Sequence, residues 1–263
     1  MTTETQAVPL PRYPDLEGKV ALVTGGSKGI GAATARALAA NHVRVAVNGR
    51  DQDALGATVD GIADAGGEAV AAPADVCSFD AVERMRERIE VELGAVDILV
   101  VFAGGFGAYT PVQDITEEEW HAVIDSNLTS TFLTVKSFLP GMIERRRGSI
   151  ITMASNAARF LDSTLTSSYA AAKAGIVMFT RHVAREVGPQ GVRVNCIAPA
   201  TTLSERIERI LTEEQRAALS AKSPLGRLGV PEDSAMATLF LASDSAGWLT
   251  GVTIDVAGGR VMM

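Results

Sequence analysis

Short segments of almost purely apolar residues alternate with helical patterns along most of this chain. KVALVTG (19–25), VDILVVFAGG (96–105) and VRVNCIAP (192–199) carry few polar side chains. A strand that is apolar on both faces must be covered on both faces, and the helices between such strands provide the crossovers that a parallel sheet needs. We therefore predict a single doubly wound α/β domain.

The predicted elements fill one sheet and leave no interdomain linker or internal repeat. The seven predicted parallel strands cover 19–25, 43–50, 68–76, 96–105, 149–155, 192–199 and 252–256. The predicted helices cover 30–42, 51–66, 78–93, 116–126, 128–146 and 166–187. Three prolines within 9–14 predict a flexible N-terminal arm over 1–15, followed by the folded domain over 16–263. A charged helical stretch over 200–223 interrupts the pattern and is predicted to be a substrate lid.

The composition disfavours several classes of partner. A net charge of −7 and a pI near 5.1 argue against nucleic acid and anionic membrane surfaces. No stretch has the length of an apolar membrane helix, and the N-terminus resembles neither a signal peptide nor an anchor. The isolated Cys77 and Cys196 predict a reduced, cytoplasmic location. The three histidines show no ligand spacing, so no metal site is predicted.

Glycines mark the junction between the first strand and the first helix. In TGGSKGIG (24–31), Gly25 permits a tight turn, Gly29 leaves room for a pyrophosphate, and Gly31 lets the helix pack close to the sheet. The N-terminus of the helix offers unpaired N–H groups and a positive dipole end to phosphate. The pattern predicts a nucleotide-binding, Rossmann-type domain, and an ordinary strand-to-helix turn is the alternative.

A tyrosine and a lysine are spaced to share one helical face. In SSYAAAKAG (167–175), Tyr169 and Lys173 lie four residues apart, with only alanines between them. An ammonium 4–5 Å from the phenol would lower the tyrosine pKa by about two to three units, which would make the phenol a usable general acid or base. Ser155 ends the fifth predicted strand, where ligands bind in open parallel sheets. An exposed surface pair is the alternative interpretation of the tyrosine and the lysine.

These features together resemble the short-chain dehydrogenases/reductases, whose cofactor turn has the form TGxxxGxG. The resemblance runs from about Leu16 to Gly259 and includes RVNCIAP (193–199) and the segment 224–259. The members most similar to this chain reduce 3-oxoacyl chains and assorted small ketones, commonly as homotetramers. The resemblance therefore implies a homotetramer that acts on a small-molecule carbonyl or alcohol.

The resemblance also implies roles for four catalytic residues. Tyr169 would exchange a proton with the carbonyl oxygen, and Lys173 would lower the Tyr169 pKa and bind the nicotinamide ribose. Ser155 would orient the carbonyl, and Asn127 would hold a water in a proton relay. Asn127 could instead cap a helix or fill a kink. The implied cofactor site comprises Gly25, Ser27, Lys28, Gly29, Ile30, Gly31, Arg50, Asp75, Val76, Ala103, Gly104, Tyr169, Lys173, Pro199 and Thr201.

The end of the second strand favours NADP(H) over NAD(H). The position where NAD-dependent members carry an acid is Gly49, the next residue is Arg50, and Lys28 precedes the second glycine of the turn. Two cations without an acid suit a 2′-phosphate, because arginine can grip phosphate with a bidentate fork. Both cations could instead be ordinary surface charges. Asp75 matches the family position that binds adenine, and it could equally be a helix N-cap.

The chain departs from the family pattern in three places. Val101 and Phe102 replace two asparagines after the fourth strand, which predicts lost hydrogen bonds, while Gly104 is expected to keep room for the cofactor. The gap between Ser155 and Tyr169 is one residue longer than usual, and Pro199 is followed by alanine where glycine is usual. None of these changes removes a reacting group.

The predicted substrate pocket is mainly apolar, without a carboxylate or cationic cluster. Its expected lining is Phe106, Tyr109, Phe160, Leu161, Leu165 and Leu203. We therefore predict NADPH-dependent reduction of a hydrophobic ketone, with a 3-oxoacyl thioester as one specific form. The alternatives are an alcohol, steroid or sugar dehydrogenase working oxidatively, and a non-enzymatic NADP(H)-binding regulator.

Overall fold

The sheet is the centre of the fold. A computed structural model describes residues 10–160 and 165–262, and these residues form a seven-stranded, all-parallel sheet of order β3-β2-β1-β4-β5-β6-β7. The strands are β1 Val20–Thr24, β2 Arg44–Val47, β3 Ala69–Ala71, β4 Ile98–Val101, β5 Gly148–Met153, β6 Val192–Pro199 and β7 Thr253–Val256. The strand order reverses direction beside β1, so the crossovers cover both faces. The predicted doubly wound α/β fold is confirmed.

The helices cover both faces of the sheet. They are α1 Gly29–Ala39, α2 Gln52–Asp64, α3 Phe79–Glu92, α4 Glu117–Ile124, α5 Ser130–Glu144, α6 Ser167–Val187, α7 Glu205–Ile210, α8 Glu213–Ala221 and α9 Pro231–Ala242. Successive side chains of β1 enter two different cores. Leu22 packs in the cluster that contains residues of α3, α5 and α6, and Val23 packs with residues of α1, α2 and α9. This burial on both faces explains why the strands are apolar throughout.

The helix α9 has no counterpart among the predicted helices. It begins at Pro231, packs against α1 and buries residues as different as Ser234, Thr238 and Leu239. A helix that is buried around most of its circumference shows little apolar periodicity, so the pattern that identifies surface helices is weak here.

The two helices predicted over 116–126 and 128–146 are continuous. A π-helical turn over Asp125–Thr129 joins α4 to α5, and the buried Asn127 lies inside it. Single π-helical turns of this kind are frequent at functional sites.

Part of the N-terminal arm is packed, contrary to the prediction for 1–15. The buried Asn41 side chain accepts a hydrogen bond from Tyr13 N at 2.8 Å and donates to Pro11 O at 3.1 Å. Leu10 packs against the cores on the α1 side of the sheet, and Leu16 is fully buried. The arm is therefore part of the domain from residue 10 onward, and residues 1–9 lie outside the described residues.

We predict that Asn41→Ala lowers the free energy of unfolding by about 2 kcal/mol, because Tyr13 N and Pro11 O lose their partner. Asn41→Asp keeps the acceptor for Tyr13 N but buries a carboxylate against the Pro11 and Ala37 carbonyls, so it should be no more stable than Asn41→Ala. Urea denaturation of the three proteins provides the measurement. An unchanged midpoint in Asn41→Ala would show that these hydrogen bonds do not hold the segment.

Candidate active site

The predicted site residues gather at the carboxyl edge of the sheet. The glycine turn follows β1, Ala103 and Gly104 follow β4, and Ser155 follows β5. Because the strands are parallel, all these ends meet at one edge, beside the point where the strand order reverses. The topology thus brings together residues that are far apart in sequence.

The glycine turn has the geometry of a phosphate cradle. Gly25 has φ +66°, and a Cβ there would lie 2.9 Å from Phe102 O; a Cβ on Gly31 would overlap Gly25 O. The residue before α1, Lys28, makes no side-chain cap, so no side chain occupies the first N–H groups of the helix. Uncapped N–H groups at a helix N-terminus bind phosphate, so this chain fits the pyrophosphate of a dinucleotide.

The charges beside the turn differ from the prediction of two cations without an acid. Asp51 pairs with Lys28 and caps α2 by accepting from Ala54 N at 3.1 Å, and the Lys28 ammonium lowers the pKa of the Asp51 carboxyl. Lys28 is therefore already partnered. Arg50 is exposed and has no ion-pair partner within the described part of the chain. A Cβ on Gly49 would lie 2.7 Å from Ser27 Oγ, which explains why an acid at position 49 does not fit.

Asp75 is not a helix N-cap. Its carboxylate accepts from Cys77 N at 2.9 Å, and Ser78 caps α3 instead. Asp75 is exposed and the neighbouring Val76 is buried, so the acidic side chain points away from the core. Its contact with an adenine ring stays a prediction.

The end of β4 is held without the two asparagines of the family pattern. Val101 and Phe102 are buried in the two cores, one on each face of the sheet. The fully buried Thr24 Oγ1 accepts from Phe102 N at 3.0 Å and from Ala103 N at 3.1 Å. Thr24 thus ties β1 to the segment after β4, and its role was not apparent from the sequence.

Asn127 lies inside the π-helical turn between α4 and α5 and fills it with hydrogen bonds, which agrees with the alternative interpretation of this residue. Its Nδ2 donates to Val123 O and Gly105 O, both at 2.9 Å, and its Oδ1 accepts from Gly105 N at 3.1 Å. Gly104 has φ +139°, and a Cβ there would overlap Asn127 Oδ1. The glycine therefore makes room for Asn127 rather than only for a cofactor. A water relay through Asn127 stays a prediction.

Ser155 and Tyr169 lie within hydrogen-bonding reach of each other. The Ser155 hydroxyl also accepts from Ala157 N at 3.2 Å and donates to Asn156 Oδ1 at 3.2 Å. Asn156 is buried, and its Nδ2 has no hydrogen-bond partner among the described residues. This amide was not predicted to contribute to the site, because nothing in its sequence position distinguishes it.

The electrostatic effect of Lys173 on Tyr169 differs from the prediction. Lys173 Nζ lies 5.6 Å from the Tyr169 ring centre and donates to Met153 O at 2.9 Å. Burial raises the pKa of the Tyr169 phenol, against smaller opposing effects of the Ser155 hydrogen bond and the Arg206 charge. Burial also lowers the pKa of Lys173 to about 8. The predicted lowering of the tyrosine pKa by Lys173 is wrong for this structure, because desolvation is the largest effect on the phenol and the opposing effects come from Ser155 and Arg206.

The remaining predicted cofactor residues line the same edge. The Ser27 carbonyl accepts from Thr58 Oγ1 at 3.1 Å, and Ile30 packs against the core beneath α1. Pro199 ends β6, and Ala200 N donates to Val256 O at 3.1 Å. The Thr201 carbonyl accepts from Gly229 N at 3.2 Å. The main chain at position 200 therefore extends the pairing of β6 with β7.

The predicted apolar pocket is only partly assembled. The Phe106 ring meets the Tyr169 ring edge to face, with centres 5.9 Å apart. Tyr109 and Phe160 are 58% and 48% exposed, Leu165 and Leu203 are partly buried, and Leu161 lies outside the described residues. One cation lies beside the predicted pocket, because the Arg206 guanidinium stacks 4.5 Å from the Phe106 ring centre.

Residues 10–160 and 165–262 contain neither a cluster of metal ligands nor a membrane-spanning helix. No group of three or more histidine, cysteine, aspartate or glutamate side chains could hold a metal ion there. Within the same residues, no helix is both long and apolar enough to cross a membrane.

The architecture and the site define a class of enzyme. A family model described as enoyl-(acyl carrier protein) reductase matches residues 25–260. The chain belongs to the short-chain dehydrogenase/reductase family. It is an oxidoreductase that acts on the C=O/CH–OH pair.

Individual relatives span almost the whole chain. It is 40% identical over 250 residues to 3-oxoacyl-(acyl-carrier-protein) reductase FabG of Vibrio cholerae, covering 95% of this chain and 100% of the relative. It is 38% identical over 252 residues to 3β-hydroxysteroid dehydrogenase 1 of Eggerthella lenta, covering 95% of this chain and 96% of the relative. Among solved structures, a 3-oxoacyl-(acyl-carrier protein) reductase of Brucella melitensis with bound NAD superposes with a TM-score of 0.88 at 33% identity. The match covers 95% of this chain and 94% of the relative.

We predict that the buried ammonium of Lys173 makes stability depend on pH. A lysine pKa depressed from 10.5 to about 8 destabilises the folded state fully below pH 8, and the cost disappears as the pH approaches 10.5. The free energy of unfolding of the wild type, relative to Lys173→Met, should therefore rise by about 2–3 kcal/mol between pH 7 and pH 10. Denaturant titrations without added nucleotide provide the measurement. A difference that stays constant with pH, or falls, would contradict the assignment.

Proposed function

We propose that this chain reduces a ketone to a secondary alcohol with NADPH, using Tyr169 as the general acid. The observation that carries the proposal is the placement of the Tyr169 phenol beside the Ser155 hydroxyl and the buried Lys173, at the same sheet edge as the uncapped glycine turn. A nicotinamide bound at this edge would supply the hydride.

The side chains of this site can bind and protonate a carbonyl oxygen. The Ser155 hydroxyl proton, which Asn156 Oδ1 accepts in this structure, turns to the carbonyl oxygen and polarises it. Tyr169 then donates its proton to the same oxygen as the alcohol forms. Lys173, held by Met153 O, stands over the phenol ring and offsets the negative charge that develops on the phenolate.

The protonation state of Tyr169 favours the reductive direction. Burial raises the pKa of the phenol, so at neutral pH it carries the proton that ketone reduction consumes. Oxidation of an alcohol needs the phenolate as a base, which this environment disfavours. An oxidative dehydrogenase is the second candidate, favoured by the similarity to the Eggerthella lenta steroid dehydrogenase. A non-enzymatic regulator is disfavoured, because the chain belongs to a family of oxidoreductases.

The preference for NADPH rests on Arg50. Its guanidinium is exposed, carries no ion pair in the described structure and follows Gly49, where Ser27 leaves no room for an acid. Lys28 contributes less than the sequence predicted, because Asp51 already neutralises it. The Brucella melitensis relative has NAD bound, so the preference for NADPH is tested against NADH.

The substrate class and the assembly are also proposed. Relatives named 3-oxoacyl-(acyl-carrier-protein) reductases support a 3-oxoacyl thioester as one form of the ketone. We place the lid over 200–223, where α7 reaches the active site. Phe132 and Met178, on α5 and α6, are 44% and 51% exposed, and such an apolar face supports the predicted homotetramer. The cytoplasmic location remains a prediction from the two free cysteines.

We predict that Tyr169→Phe lowers kcat for ketone reduction by about 10²–10⁴-fold, because the proton donor is lost. The ring and its contact with Phe106 remain, so NADPH affinity should change little. Loss of absorbance at 340 nm measures turnover, and fluorescence titration measures NADPH binding. Full activity in Tyr169→Phe would remove the phenol from the mechanism, and tight NADPH binding by a wild type that turns over no ketone would favour a regulator.

We predict that Arg50→Ala weakens NADPH binding about 10–100-fold and leaves NADH binding nearly unchanged, because only NADPH carries the 2′-phosphate. Arg36→Ala removes another exposed arginine, on α1, and serves as the matched control. Dissociation constants for both cofactors decide the question. An unchanged NADPH/NADH ratio in Arg50→Ala would remove the argument for this residue.

A further inference from the structure

The helix α7 contacts two loops of the candidate site. At its N-terminal side, Ser204 Cβ lies 3.5 Å from where a Cβ on Gly29 would stand, so the helix begins against the cofactor turn. Two residues later, Arg206 Nη2 donates to Phe106 O at 2.6 Å, which joins the helix to the loop after β4. The helix therefore holds Arg206 beside Phe106, whose ring contacts Tyr169.

Arg206 lies close to the phenol. Its guanidinium carbon is 4.5 Å from the centre of the Phe106 ring, and the Phe106 ring also contacts the Tyr169 ring, with 5.9 Å between ring centres. These two contacts keep the guanidinium within about 10 Å of the phenol ring, which is about the Debye length at 0.1 M ionic strength. The Arg206 charge also opposes the rise in the Tyr169 pKa.

Within the described residues, no ion pair neutralises the positive charge of Arg206. Its partners are a carbonyl oxygen and an aromatic face, and no carboxylate within the described residues lies within ion-pair distance. On the same helix, Arg209 approaches Glu205 at 3.9 Å. A guanidinium has five N–H donors in a planar fork, and Arg206 uses one of them on Phe106 O. The remaining donors suit an anion on the substrate.

We propose that Arg206 binds a carboxylate on the substrate, so that the enzyme prefers keto acids to neutral ketones. This inference rests on the proposed ketone reduction and names the substrate class for the same site. The ketone oxygen would face Ser155 and Tyr169, and the carboxylate would lie under α7, where arginine can grip it with two parallel hydrogen bonds. The phosphate of a carrier-bound acyl group is separated from its carbonyl by the whole pantetheine arm, so a carboxylate close to the ketone fits the short span better.

Matched pairs of substrates isolate the anionic contact. We compare kcat/KM for 4-oxopentanoate and its ethyl ester in the wild type, Arg206→Gln, Arg206→Lys and the control Arg209→Gln. The acid-to-ester ratio should favour the acid in the wild type and fall at least about tenfold in Arg206→Gln, because a charge-assisted hydrogen bond is lost. Arg206→Lys keeps the positive charge but lacks the bidentate guanidinium, so its acid-to-ester ratio should lie between those of the wild type and Arg206→Gln.

The acid-to-ester ratio of kcat/KM separates recognition of the anion from a general effect on the lid, because a displaced α7 would lower kcat/KM for the acid and for the ester together. A wild type that prefers the ester, an unchanged ratio in Arg206→Gln, or an equal fall in Arg209→Gln would each overturn the proposal. Reduction of the ester with no role for Arg206 would leave the proposed ketone reductase standing and remove only this inference.

A binding measurement decides the same question without turnover. Saturation-transfer NMR with NADP⁺ present compares pentanoate with pentanamide, which differ only in charge at one end. The wild type should bind pentanoate at least about tenfold more tightly, and Arg206→Gln should lose most of that difference. Equal affinities in the wild type would overturn the proposal. If neither ketone is reduced but this selectivity is present, the proposed reaction fails and the anion site stands.

Discussion

The requirement that a parallel sheet be covered on both faces organises this molecule. Because β1 sends Leu22 into one core and Val23 into the other, its residues have no solvent-facing side, and every crossover must carry a helix. The crossovers turn all strand ends the same way. The chain therefore exposes its least regular backbone, the loops after β1, β4 and β5, at one edge, and the candidate chemistry is concentrated there.

Buried polar side chains hold this irregular backbone in place. Thr24 accepts two N–H groups after β4, Asn48 donates to the carbonyls of Ala72 and Ala74 beyond β3, and Asn127 holds Gly105 from the helical kink. Each satisfies main-chain groups that no strand partner reaches, and leaving them unpaired would be costly. The loops are thus positioned by hydrogen bonds from the scaffold, which keeps the reacting groups within reach of one another.

Desolvation, more than pairwise attraction, determines the electrostatics of the candidate site. It raises the pKa of Tyr169 and lowers the pKa of Lys173 to about 8, even though the ammonium lies over the phenol ring. A protonated phenol beside a serine hydroxyl is suited to giving a proton to a carbonyl oxygen. Arg206, on α7, adds positive charge beside the Phe106 ring, and no described carboxylate lies within ion-pair distance of it.

The sequence by itself determined the sheet, the glycine turn and the grouping of Ser155, Tyr169 and Lys173, because apolar strands, glycine conformations and helical spacing are local properties. It missed α9, whose burial removes the usual periodicity, and it could not identify Thr24, Asn156 or Arg206, which matter only through distant neighbours. Only the tertiary structure decided the tyrosine pKa and the pairing of Lys28 with Asp51. Desolvation and ion pairing depend on what surrounds a group in space, and neighbours in space are not recorded in the order of residues.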